Sequence, residues 1–325
     1  MIFKNIASFL SPGGRNARLS ILIFHRVRSQ IDPLFPDEPD IERFDQILDW
    51  LGKWLQILPL DIAISQLGRG VLPPRAAAIT FDDGYADNAT NALPILLRHG
   101  MTATFFVTTS FMDGGRMWND TIIEAIRRSS AKFLDLRDAG LGLFKLESIG
   151  ERRLAIETVL GQVKYFEPVR RLQATELVQK MTGLALPDDL MMTSAQVSQL
   201  SNAGMQIGAH TSSHPILANL SDSEALEEIR SSKVALETVI DEPVSLFAYP
   251  NGKPGKDYLS KHAAMVRQAG FSAAVSSAPG VSSVCTDIFQ LPRFTPWGRT
   301  RLEYGTRLML NLRAVSPEVV KRSPH

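Results

Sequence analysis

Short apolar runs alternate along the chain with segments whose apolar residues recur at helical spacing. The run at 19–24 is almost continuously apolar and predicts a buried strand, whereas 41–55 has apolar residues every three or four positions and predicts a helix. The same alternation continues beyond them. Strands are predicted at 19–24, 76–79, 102–109, 205–209, 246–249, 271–276 and 288–294, and helices at 41–55, 87–99, 194–203, 222–240 and 257–269.

Repeated strand-then-helix units predict an α/β fold, with a parallel sheet and helices outside it. Such a sheet is either open or closed into a barrel. The pattern predicts about seven strands, and polar residues follow several of them. Both features favour a (β/α) barrel.

The segment from about 112 to 192 breaks this rhythm. It is charged, its apolar spacing is mostly helical, and it lacks a convincing strand. Helical patterns occupy 121–128, 151–162 and 174–181. We therefore predict a single barrel domain over 1–325, with a mainly helical insertion at about 112–192 on one barrel loop and a basic C-terminal extension at about 296–325.

Composition and charge exclude several classes of protein. With 44% hydrophobic residues and a net charge of +1, the chain is not intrinsically disordered. Its 35 Lys and Arg are balanced by 34 Asp and Glu, so it lacks the basic excess of a nucleic-acid-binding protein, and no nucleic-acid partner is expected. The single cysteine, Cys285, excludes an internal disulfide framework and a Cys-rich zinc module. A globular enzyme fits best.

The N-terminal segment bears on localisation. Its apolar piece, Ile6 to Leu10, is interrupted by Ser8 and stops at Pro12. A secretory signal needs an apolar region of about 7–15 residues and a cleavage site with small residues, and neither is present. We therefore expect a cytoplasmic protein.

Contact with the inner face of the membrane is a further expectation. The N-terminal segment is predicted to form a short amphipathic helix that packs on the domain, or an interfacial anchor with Phe3, Ile6 and either Phe9 or Leu10 on one face. From 293 to 325 the chain has seven basic and two acidic residues. A basic end of this kind can rest on anionic lipid, although it is often only a solvated surface.

The first candidate site, Thr80-Phe81-Asp82-Asp83-Gly84, directly follows a predicted strand. Two adjacent carboxylates repel each other in a low-dielectric environment. A divalent cation would relieve that repulsion by taking one carboxylate, and it would leave the other free for proton transfer. The alternative is a capping turn, because Asp-Asp-Gly is common in turns.

The second candidate site contains His210 and His214, in Gly208-Ala-His-Thr-Ser-Ser-His-Pro215. The glycine and proline indicate a strand end and a loop rather than a helix. Neutral imidazole is a good ligand for zinc and related metals, although a lone histidine is usually structural. Together with Asp83, the pair would make an open catalytic site that leaves positions for water and substrate.

The third cluster, Phe247-Ala248-Tyr249-Pro250-Asn-Gly, is again a strand followed by a turn. An aromatic core residue followed by a Pro/Gly turn explains it adequately. The functional alternative is that the backbone N–H of Tyr249 stabilises an oxyanion.

Taken together, the three clusters resemble the motifs of the polysaccharide deacetylases of carbohydrate esterase family 4. The resemblance rests on TFDDG at 80–84, HTSSH at 210–214 and FAYPNG at 247–252. It spans about 19–110 and 195–295. It implies a distorted (β/α) barrel of about seven strands that carries a metal-dependent hydrolase acting on an N-acetylated glycan. The implied cofactor is a divalent metal, with Zn preferred and Co, Ni, Fe or Mn as alternatives.

The resemblance also implies roles for individual residues. Asp82 matches the general base of the family, and Asp83, His210 and His214 match its metal ligands. Tyr249 matches the position whose backbone amide contributes to the oxyanion hole.

The chain departs from the family pattern at two places. Where members often have an arginine that orients the base, this chain has Ala248, and Arg293 on the last predicted strand is the candidate replacement. The usual C-terminal motif with a general-acid histidine is not evident after residue 280. Instead, His25 ends the first predicted strand, which resembles the branch that deacetylates poly-N-acetylglucosamine exopolysaccharides, where an N-terminal histidine is the acid.

The expected activity is therefore removal of N-acetyl groups from an N-acetylated sugar or polysaccharide. Two alternatives stay open: hydrolysis of a small non-sugar amide on the same scaffold, and a catalytically inactive carbohydrate-binding protein. The intact Asp and His set argues against the inactive protein. Trp118, within the insertion, could stack on a sugar ring or pack inside the insertion.

Overall fold

Strands and helices alternate through the protein. The computed structural model describes residues 2–183, 185–295, 298–314 and 320. The helices are α1 (Ile2–Leu10), α2 (Ile41–Trp54), α3 (Leu60–Gly68), α4 (Leu93–Arg98), α5 (Trp118–Arg128), α6 (Ile149–Val163), α7 (Pro168–Thr182), α8 (Ser194–Asn202), α9 (Asp222–Ile240), α10 (Ser260–Gln268) and α11 (Arg301–Arg313). The strands are β1 (Ser20–Phe24), β2 (Gln56–Ile57), β3 (Ala76–Phe81), β4 (Thr104–Val107), β5 (Phe133–Leu136), β6 (Gly142–Lys145), β7 (Gln206–Ala209), β8 (Leu246–Ala248) and β9 (Ala273–Val275).

The main sheet is parallel and follows the order β1-β3-β4-β7-β8-β9, with the short β2 also paired to β3. Each crossover carries helices, as parallel pairing requires. The sheet curls with the helices around it, so the predicted distorted (β/α) barrel is confirmed.

The segment after β9 joins the two ends of the curled sheet. The Leu291 N–H donates to the Ala274 carbonyl at 3.0 Å on one side, and the Phe294 N–H donates to the Ile21 carbonyl at 2.9 Å on the other. Leu291 and Phe294 thus form single parallel bridges to β9 and β1 respectively. This segment brings the last part of the barrel beside the first strand.

The strand predicted over 288–294 is nevertheless wrong as a continuous strand, since the structure has only isolated bridges there. Pro292 lies between the two bridges and has no backbone N–H to continue a ladder. The main sheet still has seven strands, because β2 is a two-residue strand that the apolar pattern did not predict.

Two apolar clusters fill the two faces of the sheet. The larger one packs the outer helices on the strands, and in it the rings of Phe24 and Phe44 lie 5.5 and 5.7 Å from that of Phe81. The smaller one contains Ala78 of β3 and Leu67 of α3. Alternate residues of β3 face different clusters, so the strand is buried on both sides, as its continuous apolar sequence indicates.

The insertion between β4 and β7 has its own apolar cluster, built mainly from α5, α6 and α7. It is mainly helical, as expected. It also contains an antiparallel pair of strands, β5 and β6, where the sequence pattern indicated none. The two strands are four residues long and alternate between more and less exposed positions, and Gly140 turns the chain between them with a φ of 72°. Such short segments give little periodic signal.

The N-terminal helix α1 packs against α11 and α2. Phe3 faces inward, with its ring 4.9 Å from that of Trp54, and therefore does not belong to the predicted exposed face. That face is formed instead by Ile2, Ile6 and Phe9, of which Ile2 and Phe9 are 74% and 85% exposed. Helix α11 occupies much of the predicted basic extension. Residues 296–297, 315–319 and 321–325 of this extension, which include the basic residues at 321 and 322, lie outside the described residues.

No helix within the described ranges is long and apolar enough to cross a membrane.

Close packing inside the barrel predicts that Gly208 of β7 tolerates no side chain. A Cβ at this position would overlap the Phe106 ring of β4 and lie 3.2 Å from the Leu246 carbonyl oxygen. Gly208→Ala should therefore lower the free energy of unfolding by about 1–3 kcal/mol, measured by urea denaturation. Gly161→Ala is the matched control, since a Cβ at this exposed position of α6 meets no atom within 4 Å, and alanine should stabilise the helix by about 0.5–1 kcal/mol. Equal stability of the two variants would contradict this packing.

Candidate active site

Polar side chains gather at the carboxyl ends of the parallel strands. Asp82 and Asp83 follow β3, His210 follows β7, and His25 follows β1. All four line one cavity of about 410 Å³. In (β/α) barrels this end of the sheet is where catalytic residues are found.

Asp83, His210 and His214 form a cluster that could hold a metal ion. Their ligand atoms all lie within 4.8 Å of one another. The Nε2 atoms of His210 and His214 lie 3.5 and 3.4 Å from the same carboxylate oxygen of Asp83. Two imidazoles and one carboxylate suit a divalent first-row metal, and three protein ligands leave positions for water and substrate. The residues present therefore fit a catalytic metal site.

Backbone conformations that non-glycine residues seldom adopt shape this cluster. Asp83, Thr211 and His214 have φ values of 74°, 63° and 56°, in the left-handed region. The loop is held from outside, since the Glu228 carboxylate accepts hydrogen bonds from the N–H groups of Ser212 and Ser213, both at 2.8 Å. Strained residues at three positions of one cluster are typical of a functional site.

The two histidines are oriented for binding through Nε2. The Nδ1–H of His210 donates to the Ala248 carbonyl at 2.8 Å, which leaves Nε2 with a free lone pair. His214 Nδ1 is buried, and no residue in the described part of the chain pairs with it. Burial lowers the pKa of His214 to about 4, so the ring is neutral at neutral pH. A neutral imidazole is the form that binds metals.

Mutual electrostatic interactions set the protonation of Asp83 and His210. Burial acts to raise the pKa of Asp83, but the hydrogen bond from His210 and the interaction with His214 outweigh it, and the pKa lies well below its usual range. The pKa of His210 is raised, because Asp82 and Asp83 overcome the effect of burial. Asp83 and His210 thus attract each other, and a metal on the Nε2 of His210 would take the place that a proton can occupy there.

Asp82 is held by Arg293. The guanidinium donates from Nη1 and Nη2 to the two carboxylate oxygens, both at 2.6 Å, and its Nε donates to the Ser276 carbonyl at 2.9 Å. Both side chains are almost fully buried. Burial acts to raise the pKa of Asp82, but Arg293 and His210 lower it below its ordinary value. The structure thus brings Arg293 to the carboxylate that sequence reasoning assigned to it.

His25 is exposed and lines the mouth of the same cavity. Its backbone carbonyl accepts a hydrogen bond from the Asn88 side chain at 2.9 Å, which fixes the end of β1. The ring is free to approach a bound molecule. The structure therefore brings His25 to the site, on the strand that sequence reasoning chose.

Tyr249 does not lie where it was expected. Its backbone N–H donates to the Val275 carbonyl at 3.2 Å within the sheet. Its side chain is buried and does not line the cavity, and its hydroxyl donates to the Phe289 carbonyl at 2.9 Å. This amide is not free to bind an oxyanion, contrary to the expectation. Asn251, two residues on, lines the cavity with a φ of 60°, and its N–H donates to no described residue. The sequence signal that could have identified this donor is the Pro-Asn-Gly turn.

Sequence reasoning also missed a second polar wall of the cavity. It consists of Tyr85, which follows β3, and of Asn119 and Asp120 from α5. Trp118 instead packs against the apolar cluster of the insertion, with the Arg171 guanidinium 5.3 Å from its ring centroid. The sequence offered one signal for this wall: two polar residues in the first turn of α5, directly after the aromatic Trp118.

Comparison with known proteins agrees with this geometry. The sequence model of the family described as polysaccharide deacetylase matches residues 69–134 and 170–274. A protein of Bacillus subtilis (strain 168), YxkH, whose name places it among the polysaccharide deacetylases, is 20% identical over 279 residues, covering 85% of this chain and 71% of the relative.

Solved structures share the fold. The Streptococcus pyogenes deacetylase PplD in complex with acetate has a TM-score of 0.60 and 17% identity, covering 92% of this chain and 99% of that one. IcaB from Ammonifex degensii has a TM-score of 0.56 and 17% identity, covering 94% and 99%. Because the family model matches more than half of the chain, this protein belongs to the polysaccharide deacetylase family.

Proposed function

We propose that this protein hydrolyses the N-acetyl group of an N-acetylated sugar polymer, such as an exopolysaccharide or a cell-surface glycan. The observation that carries the proposal is the pairing of two sites in one cavity: a cluster of Asp83, His210 and His214 that fits a metal, and an Asp82 carboxylate clamped by Arg293. Membership of the polysaccharide deacetylase family supports the substrate class.

Asp83, His210 and His214 would hold the divalent metal. Zinc suits two imidazoles and one carboxylate, and Co, Ni, Fe and Mn can use the same ligands. When bound, the metal supplies Lewis acidity toward the acetamide carbonyl and toward water. The hydrogen bond from His210 to the Ala248 carbonyl would keep one ligand correctly oriented.

Asp82 would act as the general base and take a proton from the attacking water. A pKa below the ordinary value keeps this carboxyl ionised at neutral pH, as a base requires. Arg293 would be the positioning residue, because two parallel hydrogen bonds restrict rotation of the carboxylate.

His25 would act as the general acid. An amine leaves poorly as an anion, so the departing nitrogen must receive a proton, and the exposed ring of His25 at the cavity mouth can deliver one. The free N–H of Asn251 would donate to the developing oxyanion in place of the Tyr249 amide. The chain would thus supply a base, an acid and an oxyanion donor from three different strand ends.

Removal of the base and removal of a metal ligand should have different effects. Asp82→Asn should lower acetate release from penta-N-acetylchitopentaose by about 10²–10⁴-fold and keep the bound metal, because Asp82 is not a ligand. His214→Ala should lose both activity and metal, measured by elemental analysis. His99→Ala, a histidine paired with Asp45 elsewhere, should retain both. Normal acetate release by Asp82→Asn and His214→Ala would refute the assignment.

The acid role of His25 predicts a dependence on the leaving group. His25→Ala should reduce hydrolysis of N-acetyl sugars by about 10²-fold or more, since their amine must be protonated. Hydrolysis of an aryl acetate should change little, because a phenolate leaves without a proton. Both rates are measured as acetate release on the metal-loaded protein. An equal loss on the two substrates would show that His25 has another role.

We also propose that the protein works at the inner face of the membrane, with α1 touching the lipid. The outward face of this helix exposes Ile2, Ile6 and Phe9, although its inner side is already packed on the domain. Apolar side chains that remain exposed on a helix can enter the lipid interface. The basic residues of α11, which packs beside α1, would favour anionic lipid.

Vesicle binding tests this contact. The protein should sediment with phosphatidylglycerol vesicles and less with phosphatidylcholine vesicles. Replacing Ile6 and Phe9 together by serine should weaken sedimentation several-fold, because the apolar contact is lost. Leu143→Ser is the control, since it removes another exposed apolar residue, one that belongs to the insertion. No difference between the variants would exclude α1 as the contact.

A further inference from the structure

The cavity has a second wall that the proposed catalytic steps do not use. Asn119 and Asp120, in the first turn of α5, line the same 410 Å³ cavity as Asp82 and Asp83. They come from the insertion, whereas the catalytic side chains come from the barrel strands. The barrel residues therefore carry the chemistry, and the residues of the insertion are available to recognise the rest of a substrate.

Asp120 is a buried carboxyl with only half of its hydrogen-bonding capacity used. Asp120 is only 3% exposed, and its Oδ1 accepts a hydrogen bond from the Tyr85 hydroxyl at 3.1 Å. Among the residues that the structure describes, its Oδ2 has no partner. The side-chain oxygen of Asn119 is buried and unpartnered as well. Buried acceptors without donors cost free energy, so a ligand that carries a hydrogen-bond donor is expected here.

Neither helix capping nor an ion pair explains Asp120. Met117 is the N-cap residue of α5, and no side chain makes a capping hydrogen bond there, so Asp120 does not cap the helix. The nearby cation Arg26 donates its Nε to Asp87 at 2.7 Å, so the ion pair is made elsewhere. Its guanidinium lies over the Tyr85 ring, 4.3 Å from the centroid. Tyr85 is thus fixed by Arg26, and its hydroxyl in turn holds the Asp120 carboxyl.

The chemistry of this pair selects hydrogen-bond donors. Burial raises the pKa of Asp120 to about 7, with Arg26 acting in the opposite direction. The carboxyl is therefore only partly ionised near neutral pH. In the described part of the chain, the cluster of side chains with metal-ligand spacing is Asp83, His210 and His214, which does not include Asp120. Hydroxyl groups, which both donate and accept, match a carboxyl beside an amide.

We propose that Asp120 and Asn119 form a subsite that binds a ring hydroxyl of the sugar whose acetamide is cleaved. This inference rests on the proposed function, since it assumes that a glycan enters the cavity. Asp120 would be a specificity-determining residue, and Tyr85 would be a positioning residue that holds its carboxyl. The insertion would then select the sugar, while the barrel hydrolyses the amide.

The test pairs substitutions at Asp120 with substrates that lack one hydroxyl. Asp120→Ala should lower kcat/KM on tri-N-acetylchitotriose by about 10–100-fold, mainly through KM. The wild-type protein should show a similar loss on one analogue deoxygenated at a single ring hydroxyl, and on that analogue Asp120→Ala should cause little further loss. Tyr85→Phe should give a smaller loss in the same direction. Asp138→Ala, an exposed aspartate of the same insertion, should change nothing.

Two readouts separate this proposal from a general effect on the enzyme. Metal content and aryl acetate hydrolysis should be normal in Asp120→Ala, because an aryl acetate has no ring hydroxyl. A parallel loss on aryl acetate, or an equal loss on every deoxy analogue, would overturn the subsite. Affinity for tri-N-acetylchitotriose is also measured by calorimetry in the Asp82→Asn background. If the wild type releases no acetate from any glycan, the proposed function fails, yet a weaker affinity on adding Asp120→Ala would still support the subsite.

Discussion

The site depends on one electrostatic constraint, the burial of two adjacent carboxylates at the end of a single strand. Asp82 and Asp83 are 3% and 6% exposed, and two unshielded charges so close in a protein interior would repel each other strongly. The structure separates their surroundings. Arg293 neutralises the first through two hydrogen bonds, and His210 and His214 surround the second. Identical side chains thereby acquire different chemistry.

This separation requires the barrel to close. Arg293 belongs to the segment that bridges the last strand to the first, and its Nε is anchored on the Ser276 carbonyl just beyond β9. An open sheet would leave that segment far from β3. Closure therefore does more than complete the core, because it carries a cation across the barrel to the carboxylate that needs one. A guanidinium is well suited to this, since its planar fork matches both carboxylate oxygens at once.

The sequence predicts those parts of the fold and site that depend on local pattern. Continuous apolar runs predict the barrel strands, and polar residues directly after them predict a common edge where Asp83, His210 and His214 meet. Features set by tertiary hydrogen bonding are harder to predict. The Tyr249 N–H is hydrogen-bonded to the neighbouring strand, and only the register of that pairing shows that the Asn251 N–H is the available donor. Short strands such as β2 and β5 carry too few residues to show a period.

The insertion is where sequence reasoning and structure diverge most, and physics explains why. Its helices bury their own apolar cluster. The spacing of their apolar residues therefore predicts that cluster and does not predict which residues line the cavity beside it. Asn119 and Asp120 reach the cavity because Trp118 packs inward and orients the first turn of α5. A residue that recognises a substrate has to stay partly unsatisfied until the substrate arrives, and an unsatisfied group leaves no periodic trace in a sequence. Only the three-dimensional arrangement of hydrogen bonds identifies it.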